Sequence, residues 1–337
     1  MILWIMFLAL ILSLTGCFSD RSESSNIKND VKLVVSLIIP DQLGDKSFFD
    51  SAHAGMLRAE EELDIVYKMY ESNHDRTLYS EQLITASEES DVVIALGYEF
   101  YDLVKEMSQA YEDKVYLYVD DVLEGYNNIV SLTYGQDEGA FLAGAFGALM
   151  TKETQIDGIN ESAIIGMVGG RDIPVIRNFQ KGYEAGARYI DTSLEVITVF
   201  SGDFISTENC REKATELYQQ GADIVFAVAG GAGLGVFEAA EENGRFAIGV
   251  DSDQRYINPD VILASMVKNV GNSIYDTLIK IQNGEIVGGV HYTFGLKENG
   301  VNLTFGDDTM EVLVPDAIRK RIEEIRIDLI EGKIKID

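Results

Sequence analysis

At 337 residues the chain exceeds a typical single domain of about 100 to 200 residues, which leaves room for two lobes, each with its own core. It carries 27 Lys and Arg against 56 Asp and Glu, a formal charge of −29, which argues against a nucleic-acid or anionic-lipid surface and leaves neutral or cationic small molecules, or a protein, as partners. A hydrophobic share of 46% with 9% aromatics excludes a disordered chain.

Residues 1–16, MILWIMFLALILSLTG, form an apolar run too short to span a bilayer comfortably, and small residues precede Cys17. Leu14-Thr15-Gly16-Cys17 resembles a bacterial lipobox, although no Lys or Arg precedes the apolar run. The resemblance implies a signal peptide over 1–16, lipid on Cys17, and an anchor in the cell membrane with the protein on its extracytoplasmic side. An uncleaved anchor helix is the alternative. Residues 17–30 are rich in Ser, Asn and charge and read as a flexible tether. The other cysteine, Cys210, then has no disulfide partner and is expected in the core.

Beyond the tether, strand patterns at 31–39, 65–69, 91–96, 115–119 and 129–132 alternate with helix patterns at 51–63, 80–87, 99–110 and 138–150. After a polar break at 152–161, strands at 162–168, 194–200, 225–229 and 261–267 alternate with helices at 176–189, 208–220 and 272–283. Residues 286–314 are Gly-rich and β-like, and Ile318, Ile322, Ile325 and Leu329 mark one face of a terminal helix. The alternation predicts an α/β protein with two doubly wound parallel sheets, flanked by helices and joined by right-handed crossovers. The expected first lobe is 31–150 plus about 268–290, and the second 151–267 plus about 291–337.

The segment 225–251, VFAVAGGAGLGVFEAAEENGRFAIGVD, reads as strand, glycine turn, helix and strand. In open parallel sheets ligands bind beyond the carboxyl ends of the strands, so Gly230, Gly231 and Asp251 should face one crevice. Gly231-x-Gly233 is followed by Val236 where a dinucleotide fingerprint needs its third glycine, and no GxxxxGK[ST] occurs, so phosphate binding is disfavoured. Asp251 is a cleft carboxylate or a helix cap. Lys268, ending an apolar strand, is a cleft donor or a snorkelling surface lysine. His53, His74 and His291 lack metal-ligand spacing, so neither metal nor cofactor is expected.

Five motifs occur in order: Asp45-Lys46-Ser47-Phe48, Gly169-Gly170-x-x-Ile173-Pro174-x-Ile176-Arg177-x-Phe179, Ala229-Gly230-Gly231-x-Gly233-Leu234-Gly235, Gly249-Val250-Asp251-Ser252-Asp253-Gln254 and Ser265-Met266-Val267-Lys268. Over about residues 32–330 they resemble the basic membrane protein family of ABC-transporter substrate-binding lipoproteins, which includes spirochaete purine nucleoside receptors. The resemblance implies a type I periplasmic binding protein: two lobes hinged around a cleft, monomeric, without turnover, serving an ABC-transporter permease. It implies a purine nucleoside (guanosine, inosine or adenosine) held between Phe48 and Phe204, with Phe179 a further candidate ring. The ribose would meet Asp251, Lys268 and the backbone of Gly230 and Gly231, and the base edge Asp45 and Asp120. Gly44 and Phe49 stand where many members carry Asn, which removes two amides from the base edge. Three alternatives are an enzyme such as a nucleoside hydrolase, a receptor for another small sugar-like solute, and a surface lipoprotein binding a macromolecular partner. The enzyme lacks the expected Asp cluster near an N-terminal strand.

Overall fold

Strands that are apolar at consecutive positions must be covered on both faces, the condition of a parallel sheet between helices. The computed structural model, which describes residues 32–306 and 313–336, has that form. Cys17, the expected signal peptide and the tether lie outside the described residues.

The first sheet comprises β1 (Val34–Ile39), β2 (Val66–Glu71), β3 (Val92–Leu96), β4 (Val115–Val119), β5 (Ile129–Tyr134) and β11 (Val290–Phe294), in the order β11-β5-β4-β3-β1-β2 with every neighbour parallel. Between its strands run α1 (Phe48–Glu62), α2 (Arg76–Glu89) and α3 (Tyr101–Ala110). The second sheet comprises β6 (Ile164–Gly169), β7 (Glu195–Phe200), β8 (Ala222–Val228), β9 (Phe246–Asp251), β10 (Ile262–Lys268) and β12 (Val301–Thr304), in the order β12-β10-β9-β8-β6-β7. Among the described residues only β12 runs antiparallel to its neighbour. The remaining helices are α4 (Gln136–Met150), α5 (Pro174–Ile190), α6 (Thr207–Gln219), α7 (Leu234–Glu242), α8 (Val270–Gln282) and α9 (Asp316–Ile330).

Side chains alternate between the two faces, as a period of two requires. In β3, Val92, Ile94 and Leu96 join one core while Val93 and Ala95 join another. In β8, Ile224, Phe226 and Val228 face one side, and Val225 and Ala227 the other. Cys210 is buried beside Ala214 and Leu217 as expected, and burial pushes its thiol up to about 11.

The expected lobe boundaries need correction. The alternation places residues 136–150 in the first lobe, yet α4 packs on α5, β10, β12 and α9. Glycines explain the attachment: a Cβ at Gly144 would stand 1.9 Å from the Tyr183 carbonyl oxygen, and one at Gly186 1.9 Å from that of Phe141, so the two helix backbones touch. The expected second lobe starts at about residue 291, but β11, which includes residues 291–294, pairs with β5 in the first sheet. The chain therefore crosses between lobes after β5, after β10 and between β11 and β12. These crossings are tied together: Gly135 N donates to Phe294 O at 3.0 Å, and Asn269 N to Gly300 O at 2.8 Å. Among the described residues no helix is long and apolar enough to cross a membrane.

Candidate functional site

A cavity of about 690 Å³ lies between the lobes, within the range of about 300–1,000 Å³ usual for small-molecule sites. Its wall is built from strand ends: Asp120 follows β4 and Tyr134 closes β5, while Gly230 follows β8, Asp251 closes β9 and Lys268 closes β10. All nine expected ligand residues, Asp45, Phe48, Asp120, Phe179, Phe204, Gly230, Gly231, Asp251 and Lys268, line this one cavity.

The charged centre sits beside the crossings. Lys268 is only 2% exposed, and its Nζ stands 4.9 Å from the Phe48 ring centre, 4.8 Å from that of Tyr134 and 5.9 Å from that of Phe179. A buried ammonium needs a counter-charge, and Lys268 pairs directly with Asp120 across the cleft. Asp251 is not that partner: its carboxylate accepts from Ser47 Oγ at 2.5 Å through Oδ2 and feels Lys268 only as a nearby charge. Burial pushes Asp251 up to about 6, against the opposing pull of Lys268 and Ser47. Both carboxylates occupy left-handed backbone, with φ of +83° at Asp120 and +62° at Asp251, conformations that non-glycine residues adopt at a cost and that concentrate at functional sites. A snorkelling role for Lys268 is excluded by its burial.

Phe48 opens α1 and Phe204 follows β7, so one ring enters the cavity from each lobe. The Phe204 ring lies over Gly170, where a Cβ would come within 2.3 Å of it. Phe49 packs on Phe48 with ring centres 5.5 Å apart and also lines the cavity. Phe179 is 2% exposed and edge-on to Phe226, a core position with one face toward the cleft. Gly230 has φ of +52°, and Gly231 approaches Asp45 so closely that a Cβ would stand 3.3 Å from the Asp45 Cβ.

Asp45 serves α1 first. Its carboxylate accepts from the backbone of Ser47 and Asp50 at 3.0 Å and of Phe49 at 2.9 Å, capping the helix start, so little of its acceptor capacity is left for a base. The loop it organises docks onto the second lobe, where Ser252 Oγ donates to Ser47 O and Gln254 Nε2 to Lys46 O, each at 3.1 Å.

Farther from the crossings the wall gains Tyr98 and Glu99 from the first lobe and Arg171 from the second, whose guanidinium carbon lies 6.0 Å from the Tyr98 ring centre. The wall carries Asp41, Asp45, Glu99, Asp120, Asp121 and Asp251 against Arg76, Arg171 and Lys268, an acidic balance that suits an uncharged ligand better than an anion. His74 also lines it, 2.5 Å from Asp41, whereas His53 and His291 bond to Tyr67 and Thr133. Among the described residues no group of His, Cys, Asp and Glu is arranged to hold a metal.

Sequence reasoning missed Ser47, Tyr134, Gln136 and Arg171. Tyr134 and Arg171 were findable, because each stands at or just beyond the carboxyl end of a strand, and Ser47 lies inside a quoted motif. Gln136 becomes a wall residue only because the chain crosses lobes there.

A family model described as "ABC transporter substrate-binding protein PnrA-like" matches residues 32–336. Basic membrane protein A of Borreliella afzelii is 31% identical over 324 residues, covering 94% of this chain and 95% of that protein. The ABC transporter nucleoside-binding protein BmpA of Lactococcus lactis subsp. cremoris is 29% identical, covering 98% and 96%. Among solved structures, the ABC transporter solute-binding protein of Aeropyrum pernix superposes with a TM-score of 0.78 at 24% identity, over 90% of this chain and 92% of that one, a likeness of fold.

Proposed function

The chain belongs to the family of PnrA-like ABC transporter substrate-binding proteins, and from that premise we propose that its cleft binds a purine nucleoside without transforming it and delivers it to a membrane permease. One observation carries the reading: a ring from each lobe, Phe48 and Phe204, borders the same cavity as the buried group Asp120, Lys268 and Asp251. A flat base between two rings gains about 1–3 kcal/mol per stacked face. Vicinal hydroxyls of a ribose can donate to Asp251 Oδ1, the oxygen that Ser47 leaves open, and accept from Lys268. The acidic wall disfavours a 5′-phosphate, which separates nucleosides from nucleotides. The name of the Lactococcus relative, a nucleoside-binding protein, points the same way.

Closure follows from the topology. Three adjacent crossings allow the lobes to swing as rigid bodies, and a ligand bridging Phe48 and Phe204 stabilises the closed form. Lipid on Cys17 would hold the receptor at the extracytoplasmic face of the membrane, next to its permease.

Thermal shift and calorimetry with inosine, guanosine, adenosine, their free bases, ribose and the 5′-monophosphates test the proposal. Nucleosides should raise Tm and bind at least tenfold tighter than bases, ribose or monophosphates. Equal binding of adenosine and adenine would discard the ribose clamp, and binding of none of the nucleosides would discard the function.

A further inference from the structure

Most polar groups at the crossing end of the cavity are already occupied by protein partners. Asp45 caps α1, Asp120 holds Lys268, Asp251 takes a hydrogen bond from Ser47, and the Tyr134 hydroxyl bonds to that of Ser273. Gln136 differs. It is 7% exposed, lines the cavity, and its Oε1 is buried without a hydrogen-bond partner among the described residues. The other buried side-chain atoms in that condition, on Tyr183, Thr198 and Arg319, belong to residues that do not line the cavity.

An unpaired buried amide oxygen is costly, and buried polar groups in folded proteins are almost always satisfied. Gln136 is also fixed in place: it is the first residue of α4, directly after the crossing at Gly135, whose N–H is tied to Phe294. Two residues earlier Tyr134 stands against Lys268, so the amide belongs to the end of the cavity that carries Asp120, Lys268 and Asp251, whereas Phe204 follows β7, the strand at the far edge of the second sheet. A side-chain amide offers a donor and an acceptor in one plane, which matches a hydroxyl that can both give and take a proton.

We propose that Gln136 is a specificity-determining residue whose amide is completed by a sugar hydroxyl of the bound nucleoside. The proposal rests on the nucleoside reading above and adds a contact at the lobe crossing, so that the ribose is read by the polypeptide segment that must move when the lobes close.

The test measures affinities of the full chain, as wild type, Gln136→Leu and Gln136→Ala, for inosine and its 2′-deoxy, 3′-deoxy and 5′-deoxy forms, together with the ligand-free Tm of each variant. Both variants should bind inosine about 5- to 30-fold more weakly, the range of one lost hydrogen bond in a buried site, and that loss should vanish for the one deoxynucleoside lacking the partner hydroxyl. Gln136→Leu should leave the ligand-free Tm equal or higher, because it removes an unpaired polar atom. A loss equal across all four ligands, or no loss, overturns the proposal and leaves the nucleoside reading standing. Failure of the wild type to bind any of the four overturns that reading and the proposal with it.

Discussion

Asp251 links the cleft to pH. Its carboxyl ionises near pH 3.8 in an unfolded chain and about 6 in the fold, because burial disfavours the charged form. A folded pKa raised in this way favours the protonated state, so the contribution to stability is fully present below pH 3.8 and is lost as pH rises through 6. At pH 7 the ionised group therefore costs about 3 kcal/mol in the ligand-free protein, from about 1.4 kcal/mol per pKa unit. Ligand hydroxyls that donate to the carboxylate reverse the balance, since they need the charged form. Nucleoside affinity should accordingly be flat above pH 7 and fall roughly tenfold per pH unit below 6, reaching about a tenfold loss at pH 5. Calorimetry from pH 5 to 8 on the wild type and on Asp251→Asn reads this directly. Burial also raises Asp45 and Glu99 on the same wall, so the decisive comparison is the slope that the Asn variant removes. A wild-type profile without slope, or an Asn variant that keeps it, refutes the assignment. The Asn variant should also gain ligand-free Tm at pH 7.

Phe204→Ala removes one stacking face, and calorimetry should record an affinity about 5- to 150-fold weaker; a loss under twofold rules out the sandwich. Gly170→Ala brings a methyl to within 2.3 Å of the Phe204 ring, so affinity should drop while Tm changes little; unchanged affinity means that the ring position does not matter. Lys268→Met keeps the apolar stem but leaves Asp120 without its buried partner, and chemical denaturation at pH 7 should register a loss of about 3–5 kcal/mol; a neutral or stabilising result would mean that the cation is dispensable to the fold. Cys17→Ala should move the protein from the membrane fraction to the soluble fraction, and persistent membrane association would favour an uncleaved anchor helix.

Composition and periodicity were enough for the α/β class, because consecutive apolar residues in strands such as β3 and β8 demand cover on both faces. The same logic put Asp251 and Lys268 in the cleft, since a charge closing an otherwise apolar strand has to leave the sheet at its carboxyl end. Residue order does not specify which elements pack together across long separations. The attachment of α4 to the second lobe depends on the meeting of Gly144 with Tyr183 and of Gly186 with Phe141, contacts set by helix approach rather than by spacing. The pairing of Lys268 with Asp120, 148 residues away, and of Ser47 with Asp251, 204 residues away, likewise exists only once the lobes face each other. The chain alone determined which side chains could bind a ligand; the packed fold decided which were taken by protein partners and which, like Gln136, were left without one, because burial and hydrogen bonding are properties of packed neighbours.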